Sequence, residues 1–314
     1  MKNSSIVLKK YLFYITLAVI LGCSRSHPHI LTSSEADKKF IKTLKEENNY
    51  DVITNRVDNT LWIYHAMKEP IVDIKASDDG PKQSNKAKES VSVKYADTNF
   101  KDKTFFVEYD IANEKTYSKD YGYTSTYTDE YQKRQSNILS VIGRSYFDVE
   151  NTEKEKTPEF VVLIIADINK GIEIECTIYF QDLKRAMAIL ADLTQEEFTK
   201  RYVVDVKGSQ TIINDTKGEH IEFKTIVLPE FLAKQITNRI NFKYMRSSFP
   251  PSADTVKELS QIAAETFDAY QFKDYQGLEL KDLANEKIVT LTPAEIEKIF
   301  KDTPQGKFIT IKFN

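Results

Sequence analysis

Histidine and cysteine are the side chains that most often serve as bases and nucleophiles. The chain has only four histidines and two cysteines. His27 and His29 lie in a short polar stretch near the N-terminus, where a fixed geometry is hard to maintain. His65 and His220 lie in segments typical of strands. No Gly-x-Ser-x-Gly, His-Glu-x-x-His or Cys-x-x-Cys motif is present. We therefore predict hydrogen-bonded structural or surface roles for His65 and His220 and assign no catalytic residue.

Two carboxylates in segment 105–111 (FFVEYDI) offer a different chemistry. Glu108 and Asp110 alternate with buried positions of a predicted strand and share one face with Phe106. Glycosidases need only two carboxylates that the fold brings together. An acid pair in a cleft and a solvated strand face both fit this pattern, and the solvated face is the commoner arrangement.

Cys176 and segment 167–171 (DINKG) are the remaining places where a reactive thiol or a metal ion is conceivable. Cys176 falls among isoleucines in the alternating segment 172–180, and burial leaves a thiol inert. The oxygen side chains of 167–171 have the spacing of a calcium-loop opening, but Gly171 occupies the third ligand position and Ile178 the closing one. We predict a core cysteine, a hairpin turn, and no metal or cofactor.

Two aromatic segments have a binding interpretation and a structural one. Segment 239–246 (RINFKYMR) mixes Arg239, Lys243 and Arg246 with aromatic side chains. Its charges suit a helix C-terminus, and contact with a lipid surface or an anionic glycan is the alternative. A second segment holds five tyrosines, which favour edge packing over sugar stacking or an interface: Tyr117, Tyr121, Tyr123, Tyr127 and Tyr131.

Hydrophobic periodicity predicts the elements that position these residues. Helices are expected over 34–48, with Ser34 as the cap, over 128–146, and from about 182, 194, 229, 252 and 292 onward. Strands are expected over 50–57, 61–67, 91–95, 104–111, 160–166, 172–180, 202–206, 210–213, 220–227 and 308–313. Hairpins mixed with helix pairs predict an α+β fold with mainly antiparallel sheet, because a doubly wound sheet needs regular strand–helix alternation.

The two adjacent strands of the hairpin 160–180 have different patterns. Segment 160–166 is continuously apolar, which predicts a strand covered on both faces. Segment 172–180 alternates strictly, with isoleucines on one side and Glu173, Glu175, Thr177 and Tyr179 on the other. We expect that second side to be exposed to water.

The N-terminal residues carry the clearest functional signal. Lys2, Lys9 and Lys10 precede an apolar run over 11–21, which is about half the roughly 20 residues that a membrane-spanning helix needs. The run ends at Gly22 and Cys23, after which the chain becomes polar. A basic start, a short apolar core and a small residue before the cut are typical of an export signal.

Segment 19–23 (VILGC) resembles the lipobox of bacterial lipoproteins, although Leu21 stands where Ala or Ser is usual. The resemblance implies that the Cys23 thiol carries diacylglycerol, that residues 1–22 are removed, and that the lipid holds the protein in a membrane of the cell envelope. Ser24 follows the cysteine, and in lipoproteins of double-membraned bacteria an Asp there commonly retains the protein at the inner membrane. The outer membrane is therefore the expected location if the host has two.

Composition limits the remaining possibilities. The 292 residues from Cys23 onward carry 41 basic and 47 acidic side chains, so the mature chain is mildly acidic and poorly suited to nucleic acid. Cys176 is then the only other cysteine, which excludes an intramolecular disulfide. The polar segment 77–90 is the clearest loop or linker. We predict a tether over 23–33, an N-terminal α+β region over 34–115 and a C-terminal α+β domain over 116–314.

These observations favour a membrane-anchored lipoprotein that acts by binding or envelope assembly. Its partners would be the membrane, through acylated Cys23, and an envelope protein or glycan. A carboxylate-dependent hydrolase, in which Glu108 and Asp110 would be the first candidates, and a purely structural envelope component are the alternatives. An enclosed pocket with paired acids would favour the hydrolase, and a flat aromatic patch would favour the binding module.

Overall fold

A computed structural model describes residues 31–76, 88–116, 123–147, 149, 157–188, 193–244 and 254–302. The helices are α1 (Ser33–Asn48), α2 (Asp129–Tyr146), α3 (Phe180–Met187), α4 (Gln195–Arg201), α5 (Leu228–Tyr244), α6 (Thr255–Ala269) and α7 (Pro293–Asp302). The strands are β1 (Ile53–Val57), β2 (Thr60–Met67), β3 (Val72–Ala76), β4 (Lys88–Lys101), β5 (Thr104–Thr116), β6 (Tyr123–Tyr127), β7 (Phe160–Asp167), β8 (Ile172–Tyr179), β9 (Val203–Gly208), β10 (Gly277–Asp282) and β11 (Lys287–Leu291).

Helices and mainly antiparallel sheets form the described part of the chain, which confirms the predicted α+β class. A five-stranded sheet has the order β1-β2-β7-β8-β9, a four-stranded sheet has the order β11-β10-β5-β4, and β3 pairs with β6. Only the β2–β7 and β5–β10 pairs among these described strands are parallel. Both parallel pairs cross the boundary predicted between residues 115 and 116, and the described residues from Leu31 onward belong to one compact unit.

The five-stranded sheet is covered on both faces. One face packs against α1, α2 and α3 through a core that includes Leu163, Ile174 and Cys176. The other face packs against α5 and α6, where the rings of Phe160 and Phe231 are 5.2 Å apart. The prediction that β7 is buried on both faces is therefore confirmed.

The water-exposed face predicted for β8 is wrong. Glu173 is 3% exposed, Glu175 6% and Thr177 2%, because the segment after β9 and the helices α5 and α6 cover this side of the sheet. One side of β8 faces an apolar core. The other side, which was expected to face solvent, faces a second, polar part of the interior. Charged side chains at such positions require partners.

The four-stranded sheet is covered on one face. Alternate residues of β5 and β10 point inward to α6. The ring centres of Phe105 and Phe267 are 4.7 Å apart there. The opposite side chains of these strands are exposed or partly exposed. Helices α5 and α6 therefore share a core with both sheets, and the four-stranded sheet keeps one face open.

Several local predictions need correction. Helix α1 is capped by Thr32, not Ser34, through a capping box with Glu35. The expected strand over 210–213 is a 3₁₀ turn at Gln210–Ile212, and 220–227 contains no strand. Strands β10 and β11 were not predicted, because their charged, weakly alternating sequences give little signal. The predicted strand 308–313 lies outside the described residues, as does 77–87 of the predicted linker.

Candidate functional site

The open side of the four-stranded sheet, here called the outer face, contains both carboxylates that were singled out from the sequence. Strand register places Glu108 between Asp97 of β4 and Lys281 of β10, and Asp110 opposite Tyr95. Period-two alternation turns these residues away from the core. The outer face includes Tyr95, Asp97, Asn99, Lys101, Phe106, Glu108, Asp110, Glu279, Lys281, Ile288 and Thr290.

The outer face is acidic and shallow. Its residues include four carboxylates and two lysines, Lys101 and Lys281. Lys281 Nζ lies 2.8 Å from Glu108 Oε1, and both side chains are about two-fifths exposed, at 41% and 38%. The hydrogen bond to Glu108 and its negative charge raise the pKa of Lys281. A groove of ≈ 170 Å³ lies beside this pair and includes Asn99 and Phe106. The predicted sharing of one strand face by Phe106, Glu108 and Asp110 is confirmed.

His220 lies in a buried cluster that the sequence did not predict. Its Nδ1 is 2.5 Å from Asp215 Oδ2 and its Nε2 is 2.7 Å from Glu173 Oε2. Lys207 Nζ is 2.5 Å from Glu175 Oε2 and 4.0 Å from Glu173 Oε1. We call Glu173, Glu175, Lys207, Asp215 and His220 the buried cluster. In the sequence, the closeness of Asp215 and His220 in the segment after β9 was the only feature that indicated this cluster.

The buried cluster suits structure more than catalysis. Burial opposes the charged form of His220, but the hydrogen bonds to Asp215 and Glu173 outweigh it and raise the pKa of the imidazole. Burial would raise the pKa of Asp215, yet hydrogen bonds from His220 and from backbone N–H groups lower it to about 2. With a carboxylate on each ring nitrogen, His220 has no free lone pair with which to accept a proton from a substrate. The prediction of a hydrogen-bonded histidine is confirmed.

His65 favours its neutral form, whereas His220 favours its protonated form. Its ring is 2% exposed, and burial is the main reason that its pKa is lowered. Nδ1 lies 2.8 Å from the carbonyl oxygen of Asp51, and Nε2 lies 3.0 Å from Arg134 Nη1. Because Arg134 can only donate, the neutral ring accepts at Nε2 and donates from Nδ1. A structural role is confirmed for His65 as well.

Cys176 and the turn after β7 also agree with the sequence interpretation. Cys176 is 2% exposed, and burial raises its pKa to about 12, so the thiol is unreactive at neutral pH. Asp167 Oδ1 accepts hydrogen bonds from the backbone N–H groups of Asn169 and Lys170, which closes a hairpin turn. Gly171 there has φ +67°, a conformation that glycine adopts without strain. Within the described ranges, no three acidic, histidine or cysteine side chains are grouped to hold a metal ion.

Several described side chains of the basic and tyrosine-rich segments pack into the core. Lys243 forms an ion pair of 3.1 Å with Glu258, and Tyr244 donates a hydrogen bond to the same carboxylate. The buried Nε of Arg239 has no hydrogen-bond partner, and Arg246 lies outside the described residues. Tyr131 is 3% exposed and packs 5.1 Å from the ring of Tyr127, as expected for edge packing. Tyr117 and Tyr121 are also outside the described residues.

The predicted lipid attachment site, Cys23, and the signal and tether segments up to residue 30 lie outside the described residues. Across the part of the chain that is described, none of the helices has the length and apolar character needed to cross a membrane. No protein-family model, no curated protein and no solved structure matches the chain.

Proposed function

We propose that the protein is a lipid-anchored component of the cell envelope that binds a basic protein partner through the outer face. The anchor is acylated Cys23, at the end of the lipobox-like segment 19–23. A lipid anchor keeps the domain beside one membrane, and an acidic sheet face gives it a surface with which to select a partner.

The acidic charge of the outer face is the observation that carries the proposal. Four carboxylates against two lysines leave an excess of negative charge on a sheet whose opposite face is packed into the core. Phe106, Tyr95 and Ile288 add apolar contact area, with Tyr95 44% and Ile288 55% exposed. Aromatic side chains are enriched at protein interfaces, and complementary charge selects and steers the partner.

The same geometry makes the hydrolase alternative less suitable. Glu108 is held by Lys281 on an open, hydrated surface, and the groove beside it is small. A glycosidase needs one carboxyl group that keeps its proton in a site where the sugar is largely enclosed. Binding uses the outer face as it stands, whereas hydrolysis would require the ion pair to break and the site to close.

The anchor is tested by metabolic labelling with a fatty-acid analogue and by mass measurement of the mature N-terminus. We expect label on the wild type, loss of residues 1–22, and neither in Cys23→Ser. One acyl chain binds membranes reversibly and two or three hold firmly, since each buried CH₂ contributes about 0.8 kcal/mol. An unlabelled wild type that retains residues 1–22 would refute the anchor.

The partner is tested by cross-linking and pull-down of the full chain from membranes. Glu108→Lys combined with Asp110→Lys reverses the charge of the outer face and should abolish capture. Glu46→Lys combined with Glu297→Lys makes the same change of total charge on exposed helix surfaces and should leave it intact. If both double variants capture the same protein as the wild type, the outer face is not the binding surface.

A further inference from the structure

The groove of ≈ 170 Å³ on the outer face, here called the Phe106 groove, has a size that suits one side chain. Sites for free small molecules usually exceed about 300 Å³. The lining of the groove includes the ring of Phe106, the amide of Asn99 and the carboxylates of Glu108 and Glu279. A shallow groove of this size on a sheet face fits a residue of a bound protein better than a free metabolite.

Strand register brings these side chains together. Phe106 of β5 is opposite Glu279 of β10 on one side and Asn99 of β4 on the other, so a carboxylate and an amide flank the ring. Neighbouring strands lie about 4.8 Å apart, which is within reach of both side chains. Glu108 is two residues after Phe106 on the same strand, and therefore on the same face. Because regular strands hold all four residues, the groove exists before a partner arrives.

The two carboxylates of the groove differ in their partners. Glu108 Oε1 accepts a hydrogen bond from Lys281 Nζ at 2.8 Å. Glu279 is partly exposed, and its side chain forms no ion pair or hydrogen bond within the described residues. A cation of the chain itself thus binds one carboxylate of the groove. The second carboxylate offers a place for another cation that the described residues do not fill.

The ring of Phe106 is the second feature that points to a cation. It is partly exposed, and no aromatic ring of the described residues lies against it. A cation within about 6 Å of such a ring face is attracted to it. A guanidinium is planar and can stack on the ring while its N–H groups pair with a carboxylate. A lysine ammonium is a compact, strongly hydrated charge and does not stack in this way.

We propose that the Phe106 groove receives one arginine side chain of the basic partner, with its guanidinium stacked on Phe106 and hydrogen-bonded to Glu279. This inference rests on the proposed function and names the residue type by which the outer face holds the partner. The amide oxygen of Asn99 can accept one more guanidinium N–H. Arginine anchors in pockets carry much of the binding energy of interfaces, whereas the surrounding charges mainly select and steer.

Saturation-transfer NMR on the full chain in detergent tests the arginine directly. The probes are the peptide acetyl-Gly-Gly-Arg-Gly-Gly-amide and its lysine and citrulline counterparts, because citrulline keeps the shape of arginine without its charge. We expect binding of the arginine peptide, binding of the lysine peptide weaker by about fivefold or more, and none of the citrulline peptide. Equal binding of the lysine or the citrulline peptide would overturn the proposal.

A matched pair of variants locates the peptide. Glu279→Gln removes the unpaired carboxylate of the groove and should abolish binding of the arginine peptide. Asp97→Asn removes the same charge from the same face outside the groove and should retain most of it. Equal losses in the two variants would mean that only the total charge of the outer face matters, and the groove would carry no specific site.

Capture from membranes separates this inference from the proposed function. Glu279→Gln and Phe106→Leu should each lower capture of the partner by about fivefold or more, and Asp97→Asn by about twofold or less. Urea unfolding of Glu279→Gln should match that of the wild type, so its loss of capture would reflect binding. Full capture by Glu279→Gln, with none by the Glu108→Lys and Asp110→Lys double variant, would reject the groove and leave the proposed function standing. Full capture by every variant would reject both.

Discussion

The buried cluster and the outer face are both rich in carboxylates, yet their carboxylates differ in how completely they are paired with cations. In the buried cluster, the Glu173 side chain is 4% exposed and is matched by His220 and Lys207. On the outer face, Glu108 is 38% exposed, and its residues include four acids and two lysines, Lys101 and Lys281. Every carboxylate of the first group lies within 4.0 Å of His220 or Lys207, whereas the second group has twice as many carboxylates as lysines.

The difference follows from the cost of removing charge from water. An ionised group in the interior must be paired and hydrogen-bonded, or its burial destabilises the fold by several kcal/mol. At the surface, water solvates an unmatched carboxylate at little cost, so the excess charge remains available to a partner. Buried acids therefore stabilise the architecture of this protein, and exposed ones are free for the partner binding that we propose.

Removal of His220 should have the largest effect. His220→Leu would leave Glu173 and Asp215 facing each other without the imidazolium between them. We expect a loss of about 3 kcal/mol in the free energy of unfolding, in the range measured for broken buried ion pairs. Urea unfolding of the full chain in detergent provides the measurement. A loss below about 1 kcal/mol would mean that water reaches the cluster.

The pH dependence of stability should reveal two histidines acting in opposite directions. The folded-state pKa of His220 is raised, so its contribution is complete below the unfolded value of 6.5 and is lost as pH rises through the folded pKa. The folded-state pKa of His65 is lowered, so its contribution is complete above 6.5 and is lost as pH falls toward the folded pKa.

Urea unfolding between about pH 5 and 8.5 should therefore give greatest stability near pH 6.5. The charged groups around His220 are Asp215, Glu173 and, through Glu173, Lys207. His220→Gln should remove the decline at high pH and leave the decline at low pH. His65→Gln should do the reverse, and identical profiles for the two variants would contradict the assignment.

The sequence predicted the outer face better than the buried cluster. Alternation within 105–111 is a local pattern, and it correctly placed Phe106, Glu108 and Asp110 on one face. Alternation within 172–180 is just as regular, but it led to a wrong expectation for Glu173 and Glu175. Their partners, Lys207 and His220, are 32 and 47 residues further along the chain, so only the tertiary fold reveals that they meet.

Most helix starts were predictable for the same local reason, although the cap of α1 is Thr32 and not the predicted Ser34. Thr194 caps α4 by accepting from the N–H of Glu197, and Thr292 forms a capping box with Glu295. The order of the strands was not predictable, because β10 joins β5 across more than 160 residues of chain. The contact between α2 and the residues just after α1 was not predictable either, since Asn137 donates to the hydroxyl of Tyr50, which lies 87 positions earlier in the chain.

Removal of the second cation of the buried cluster should have an intermediate effect. Lys207→Met would leave Glu175, 8% exposed, without the ammonium that lies 2.5 Å away. Because the Lys207 side chain is half exposed, water can partly replace it, and we expect a loss of about 1 kcal/mol by urea unfolding. A loss as large as that of His220→Leu would show that the two cations act as one unit.

Removal of Lys281 from the outer face should have the smallest effect on stability and a visible one on binding. Lys281→Ala breaks an ion pair in which both side chains are about two-fifths exposed, so urea unfolding should show no clear loss of stability. The same change leaves Lys101 as the one lysine among the named outer-face residues, which should strengthen capture of a basic partner from membranes. Because the gain is electrostatic, it should shrink as salt is raised above about 0.15 M. A clear loss of stability, or weaker capture, would mean that Lys281 itself contacts the partner or supports the sheet, and the contrast between the two acid groups would fail.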